Sequence, residues 1–201
     1  MNSAEKRVFE FTYGEYPADD HLTGVCMVMA SFIPHIIAVY TISVTIYGRC
    51  VHHLVFLFGL ILSHELAKLV KRTVKQPRPD GSFLTSYGMP SDHSMFIVFI
   101  STYVILLVFA NDGMKRRSQA LTTLLMSGVS IAVCFSRLYL GVHTMQQVVV
   151  GVLMGFIWGI LWFKFSALYL IPSKKLRSIF YSVHSYAHDL FLGTHDQKKL
   201  S

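Results

Sequence analysis

The sequence predicts an all-α integral membrane protein, a helical bundle of about five transmembrane helices followed by an amphipathic C-terminal helix. Of its 201 residues 53% are hydrophobic and only 14% charged, and the apolar residues fall in blocks longer than any soluble core helix needs. The formal charge of +7 gathers at the ends of those blocks and in polar turns, with no basic face of a soluble fold. That pattern argues for membrane topology signals and an anion site, and against a nucleic-acid partner.

Residues 1–21 are polar with interleaved aromatics (Phe9, Phe11, Tyr13, Tyr16) and suit an N-terminal segment at the membrane interface. Five acidic side chains and no apolar core in the first twenty residues predict no cleavable leader. A membrane domain over residues 22–171 and a tail over 172–201 follow. The first span covers residues 22–47 with a bend at Pro34-His35, and the second covers about 51–70. The second carries His64, Glu65 and Lys68. Ionisable groups inside a span are costly, so they pair within the bundle or mark a functional path; Glu65 and Lys68, one turn apart, suit either role.

Residues 71–88 form a connection too rich in proline and polar groups to lie in lipid. The third span opens at Ser91. Pro90 cannot continue a preceding helix, Ser91 and Asp92 are good N-caps, and the run to residue 110 is almost wholly apolar. His93 then sits in a first helical turn, where free N–H groups and the positive dipole end favour an anion.

The fourth span covers about 120–140 and the fifth about 145–170, the latter with Gly151, Gly155 and Gly159 as a stripe for close helix approach. Beyond Pro172, the residues Leu176, Ile179, Phe180, Val183, Ala187 and Leu190 share one helical face behind Lys174, Lys175 and Arg177, as in a helix lying on a membrane surface. Cys26, Cys50 and Cys134 have neither disulfide-framework nor metal-ligand spacing.

Five spans put the termini on opposite sides. Arg49, Lys115, Arg116, Arg117, Lys174, Lys175 and Arg177 collect on one side, which the positive-inside rule makes cytosolic. The turns around His93 and His143 then face the lumen or exterior. Lys198 and Lys199 near the C-terminus resemble a dilysine retrieval signal of endoplasmic-reticulum membrane proteins, which must be cytosolic.

The polar sequence that looks chemical lies on that non-cytosolic side, in three blocks. They are Lys71-(six residues)-Arg78-Pro79, Pro90-Ser91-Asp92-His93, and Ser136-Arg137-(five residues)-His143-(three residues)-Gln147. Lys71, Arg78 and Arg137 can neutralise phosphoryl oxygens, the arginines bidentately. One histidine can attack phosphorus while the other protonates the leaving oxygen. Such a set suits phosphoryl transfer without a metal or other cofactor.

These blocks resemble the signature of the phosphatidic-acid-phosphatase type 2 (PAP2) superfamily: Lys-x6-Arg-Pro, Pro-Ser-Gly-His and Ser-Arg-x5-His-x3-Asp. Block order and spacing fit, with departures at Asp92 and Gln147. The resemblance implies a PAP2-type bundle in which His143 is the nucleophile, forming a phosphohistidine, and His93 is the acid for the leaving group and later the base for water. Lys71, Arg78, Ser91, Arg137 and backbone amides near Asp92 would hold the phosphoryl group, with no metal. Asp92 puts a carboxylate where an anion should bind, unless it caps the helix or pairs with a cation. Gln147, four residues on from His143, can accept a hydrogen bond from the ring N–H as the usual Asp would, but without its charge.

Further similarity runs through Glu15-Tyr16-Pro17-Ala18, Gln76-Pro77-Arg78-Pro79, Tyr87-Gly88-Met89-Pro90-Ser91, Ser136-Arg137-Leu138-Tyr139-Leu140 and His143-Thr144. It points to the branch acting on dolichyl diphosphate in the endoplasmic reticulum. The implied partners are a polyisoprenyl diphosphate lipid and the bilayer. The implied reaction yields dolichyl phosphate and inorganic phosphate, recycling the lipid carrier of protein N-glycosylation. A broader lipid phosphatase, acting on phosphatidate, isoprenoid or sphingoid phosphates, would use the same residues. A silent lipid-binding relative is the reading of another class.

Overall fold

The computed structural model describes residues 6–9, 14–17, 21–48, 50–80, 82, 84, 86–175, 178–179 and 181–182. Five helices alternate in direction: α1 (His21–Tyr47), α2 (Val51–Val74), α3 (Asp92–Phe109), α4 (Arg116–Tyr139) and α5 (Met145–Phe165). A π-helical turn, Ser166–Leu170, extends α5. All five are long and apolar enough to cross a bilayer, with mean hydropathy between 1.6 and 2.0. Large apolar side chains such as Leu124 and Ile131 cover their outer faces, a surface suited to lipid.

The N-terminal segment contains a strand pairing that its composition did not announce. It holds a two-stranded antiparallel hairpin, β1 (Lys6–Phe9) and β2 (Gly14–Pro17), with Lys6 opposite Pro17 and Phe9 opposite Gly14. Aromatic residues interleaved with polar ones serve a short strand as well as an interface, so composition alone did not separate the two.

Helix ends also shift. The second helix runs to Val74, so Lys71 belongs to its last turn. Lys75 then adopts a left-handed conformation (φ 52°) with its N–H on Lys71 O at 3.0 Å. That cap turns the chain sharply toward Arg78. Helix α1 continues through Pro34. Glu65 and Lys68 pair with each other at 2.8 Å in exposed positions on α2.

Helix α3 is the centre of the bundle and packs chiefly against α5 and α4. Phe99, fully buried, joins Val51, Val55, Leu60, Ile100, Tyr103 and Trp162 in the core. The indoles find acceptors within the membrane: Trp158 Nε1 donates to Gly59 O at 3.2 Å and Trp162 Nε1 to Val55 O at 3.1 Å. The α5 glycine stripe meets α3 backbone to backbone. A Cβ at Gly151 would stand 2.7 Å from Ser91 O, and one at Gly155 would collide with Met95 O. This close contact sets the height of the α3 N-terminus beside the start of α5.

All three cysteines are free. Positions 174–175, 178–179 and 181–182 of the tail are helical. The rest of its expected amphipathic face, Lys198, Lys199 and Arg49 lie outside the described residues.

Candidate active site

Alternating helix direction gathers the end of α2, the start of α3, the end of α4 and the start of α5 at one end of the bundle, and the three sequence blocks meet there.

His143 sits in the tight link between α4 and α5, only 5% exposed. Gly141, at φ 64°, and the N–H groups of Val142 and His143, both 3.3 Å from Arg137 O, fold that link back on the end of α4. Gln147, fully buried, controls the ring. Its Nε2 donates to Gln76 Oε1 at 3.1 Å and to Pro77 O at 2.8 Å. Its Oε1 accepts from Thr144 N at 3.2 Å, and Thr144 Oγ1 accepts from Gln147 N at 3.3 Å, completing a capping box. With both amide protons used, Oε1 can only accept from His143 Nδ1 at 3.1 Å. The ring therefore carries its proton on Nδ1, and Nε2 presents a lone pair.

That lone pair meets Arg78, whose Nη1 donates to it at 3.0 Å and to Val142 O at 2.8 Å. The guanidinium is held from the other side by Ser86, through Nε to the carbonyl at 2.9 Å and Nη2 to the hydroxyl at 3.1 Å. Burial, Arg78, Arg137 and Lys71 push His143 down to about 3, opposed by the bond to Gln147. The imidazole is neutral at physiological pH. Burial likewise lowers Arg78, with Asp92 opposing.

Arg137, in the last turn of α4, is 5% exposed, and its Nε has no partner. Among the described residues its guanidinium makes no hydrogen bond. A buried cation in this condition is costly unless an anion joins it. Asp92 pairs with Lys71 through Oδ2, while its Oδ1 is buried without a partner among the described residues. The carboxylate that looked out of place is thus turned to a cation.

Ser91 departs from the expected role of a side-chain cap: it occupies the N-cap position, but its hydroxyl makes no cap bond and instead accepts from Ser94 Oγ at 3.0 Å. Its N–H donates to Gln147 O at 3.0 Å, tying α3 to α5. The first-turn N–H groups of α3 are left without a side-chain cap.

His93 is placed differently from His143. Its ring meets His35 of α1 edge-on, with centroids 5.1 Å apart. Both histidines line a cleft of about 370 Å³ between α1, α2 and α3. From Ala67 back to Leu57 the cleft follows α2 for about 15 Å of helix rise, between apolar walls. Gln76, Ser86 and Thr144 support the site, roles the sequence reading did not assign to them. For Thr144 a signal existed, since Thr144 and Gln147 have capping-box spacing.

A membrane-embedded helical bundle with two histidines and three cations gathered at one end is a phosphatase architecture, and the chain belongs to the PAP2 superfamily, which it matches over residues 52–169. It is 34% identical over 180 residues to dolichyldiphosphatase 1 of Rhinolophus ferrumequinum, covering 84% of this chain and 75% of that one. It is 29% identical over 164 residues to dolichyldiphosphatase of Saccharomyces cerevisiae, covering 77% and 68%. The fold is shared with the PAP2 type phosphatidylglycerolphosphate phosphatase of Bacillus subtilis, at a TM-score of 0.65 and 18% identity over 77% of this chain and 81% of that one.

Proposed function

We propose that this protein hydrolyses dolichyl diphosphate to dolichyl phosphate and inorganic phosphate at the luminal face of the endoplasmic-reticulum membrane, returning the lipid carrier used in protein N-glycosylation. The observation that carries the reading is the buried Arg137 guanidinium, without a hydrogen bond among the described residues, near a histidine whose Nε2 lone pair is fixed in direction and held by Arg78. An anion cradle surrounds a nucleophile there. The dolichyldiphosphatase relatives supply the substrate class. The greater basic charge of the opposite loops supports the luminal placement, with the C-terminus cytosolic.

The terminal phosphoryl group enters the cradle of Arg78, Arg137, Lys71 and the α3 first-turn amides. Its oxygens take over the Arg78 hydrogen bond and release His143 Nε2. The lone pair attacks phosphorus, and the bond from phosphorus to the bridging oxygen breaks. His93 gives its proton to that oxygen, so the lipid leaves as its monophosphate. Water then gives a proton to His93 and attacks the phosphohistidine; the N–P bond breaks, and inorganic phosphate departs with the lone pair restored. Gln147 keeps Nδ1 protonated throughout, so only Nε2 can become phosphorylated. His93 lines the cleft, which supports a reading in which the polyprenyl chain lies among the helices while the diphosphate reaches the cations.

Phosphate release from dolichyl diphosphate, with chelator present, tests this in wild type, His143→Ala and His93→Ala. The expected result is release by wild type that is lost in both variants. No release above the variants, with phosphatidate and farnesyl diphosphate also inert, would overturn it in favour of a silent lipid-binding protein. Release from phosphatidate alone would overturn the substrate and keep the chemistry.

A further inference from the structure

In a diphosphate ester the cradle around His143 accounts for the terminal phosphate alone. The second phosphate, which stays on the lipid, must leave past His93 into the cleft, carrying most of the charge that develops as the bridging bond breaks. Arg78 is committed to the nucleophile side, and Lys71 is held by Asp92. Most of the cleft wall is apolar, formed by side chains such as Ala38, Ile42 and Leu60, yet α1 contributes His35 and α2 contributes His64 to the same lining. Both rings are open to the cleft, and neither has a hydrogen-bond partner among the described residues. Both residues are exposed, so their ring N–H groups are free to donate to a polar occupant of the cleft. The lining also holds Ser63, 1% exposed and offering little surface, and Asp92 beside His93, whose carboxylate is paired with Lys71.

The geometry points to His35 and His64 as the subsite for the lipid-attached phosphate of a diphosphate substrate, with His35 the nearer to the reacting oxygen through its 5.1 Å ring contact with His93. This rests on the lipid-diphosphatase reading above. A monophosphate ester leaves as an alcohol and has no group for these donors, so the subsite distinguishes diphosphate from monophosphate substrates. It also gives the lipid monophosphate product a place to rebind when the cradle is empty, with its chain in the apolar length of the cleft.

Two inhibitors of farnesyl diphosphate hydrolysis separate the two phosphate sites: farnesyl monophosphate, which needs the cleft, and orthovanadate, which needs only the His143 cradle. In His35→Phe, which keeps a ring against His93 but removes the nitrogens, the inhibition constant for farnesyl monophosphate rises about ten-fold or more. That for orthovanadate stays within about two-fold. His35→Gln, with a donor restored, recovers most of the loss, and His64→Leu moves the same way by a smaller factor. Unchanged inhibition by farnesyl monophosphate, a parallel rise for both inhibitors, or no recovery with glutamine would overturn the subsite. A wild type inert on every isoprenyl diphosphate would instead overturn the lipid-diphosphatase reading, and that result is seen before any variant is made.

Discussion

The two histidines stand in opposite surroundings. His143 is locked: Gln147 holds one ring nitrogen, Arg78 the other, and Gln147 is itself fixed by Gln76, Pro77 and Thr144. His93 is half-buried and less tightly held, touching His35 by an aromatic edge and lining a cleft. A nucleophile gains from one tautomer and one direction of its lone pair. A residue that must donate a proton, take one from water and let a bulky lipid leave gains from access. The unequal packing thus matches the proposed division of labour.

The largest break comes from the locked side. His143→Ala is expected to lower kcat by on the order of 10⁴-fold or more, with the protein still folded by size exclusion in detergent. On the open side, His93→Ala should lower kcat on the lipid diphosphate by about 10²–10⁴-fold. The loss should shrink on p-nitrophenyl phosphate, whose leaving group needs no proton; an equal loss on both substrates would remove His93 from the acid role.

Gln147→Ala leaves His143 free to rotate and to change tautomer, so kcat should fall about 10–100-fold with KM little changed, as steady-state kinetics can check. Asp92→Asn gives the smallest effect. Freeing Lys71 and removing a negative charge should lower KM a few-fold and tighten inhibition by inorganic phosphate.

The pH behaviour sharpens the same contrast. The ordinary histidine value is 6.5, and His143 in the folded protein lies at about 3. The imidazole is neutral above both values, so its contribution to stability is intact above 6.5 and is lost as pH falls toward 3. Nitrogen NMR of His143 should show no titration between about pH 5 and 8. Arg78→Gln removes the strongest neighbouring charge, and the His143 midpoint should rise. A wild-type midpoint near 6.5 would mean that the ring is neither buried nor surrounded by the cations as described.

The five spans were legible because the apolar blocks have membrane length, and the site blocks because their residue types and spacings suit one reaction. The glycine stripe was legible as close packing, but that its partner is α3 was not. What sequence spacing could not supply was contact between distant segments. Gln76 holds Gln147 from 71 residues away in the chain, Ser86 clamps Arg78, and Asp92 turns to Lys71 rather than toward the anion site. His35 read only as part of a bend beside Pro34, because its place against His93 depends on how α1 packs. The hairpin of β1 and β2 escaped for a local reason, since four-residue strands carry too little periodicity to declare themselves.

The most direct test of the division between locked nucleophile and open acid is to isolate the phosphorylated protein after rapid quenching with a substrate labelled at its terminal phosphate. His93→Ala, given a substrate with an acidic leaving group, should accumulate label that is stable to alkali, lost in acid and mapped to Nε2 of His143, because no base remains to activate water. The double variant lacking both histidines should carry none. Label at any other residue, label retained by the double variant, or turnover in His143→Ala at the wild-type rate would contradict the account.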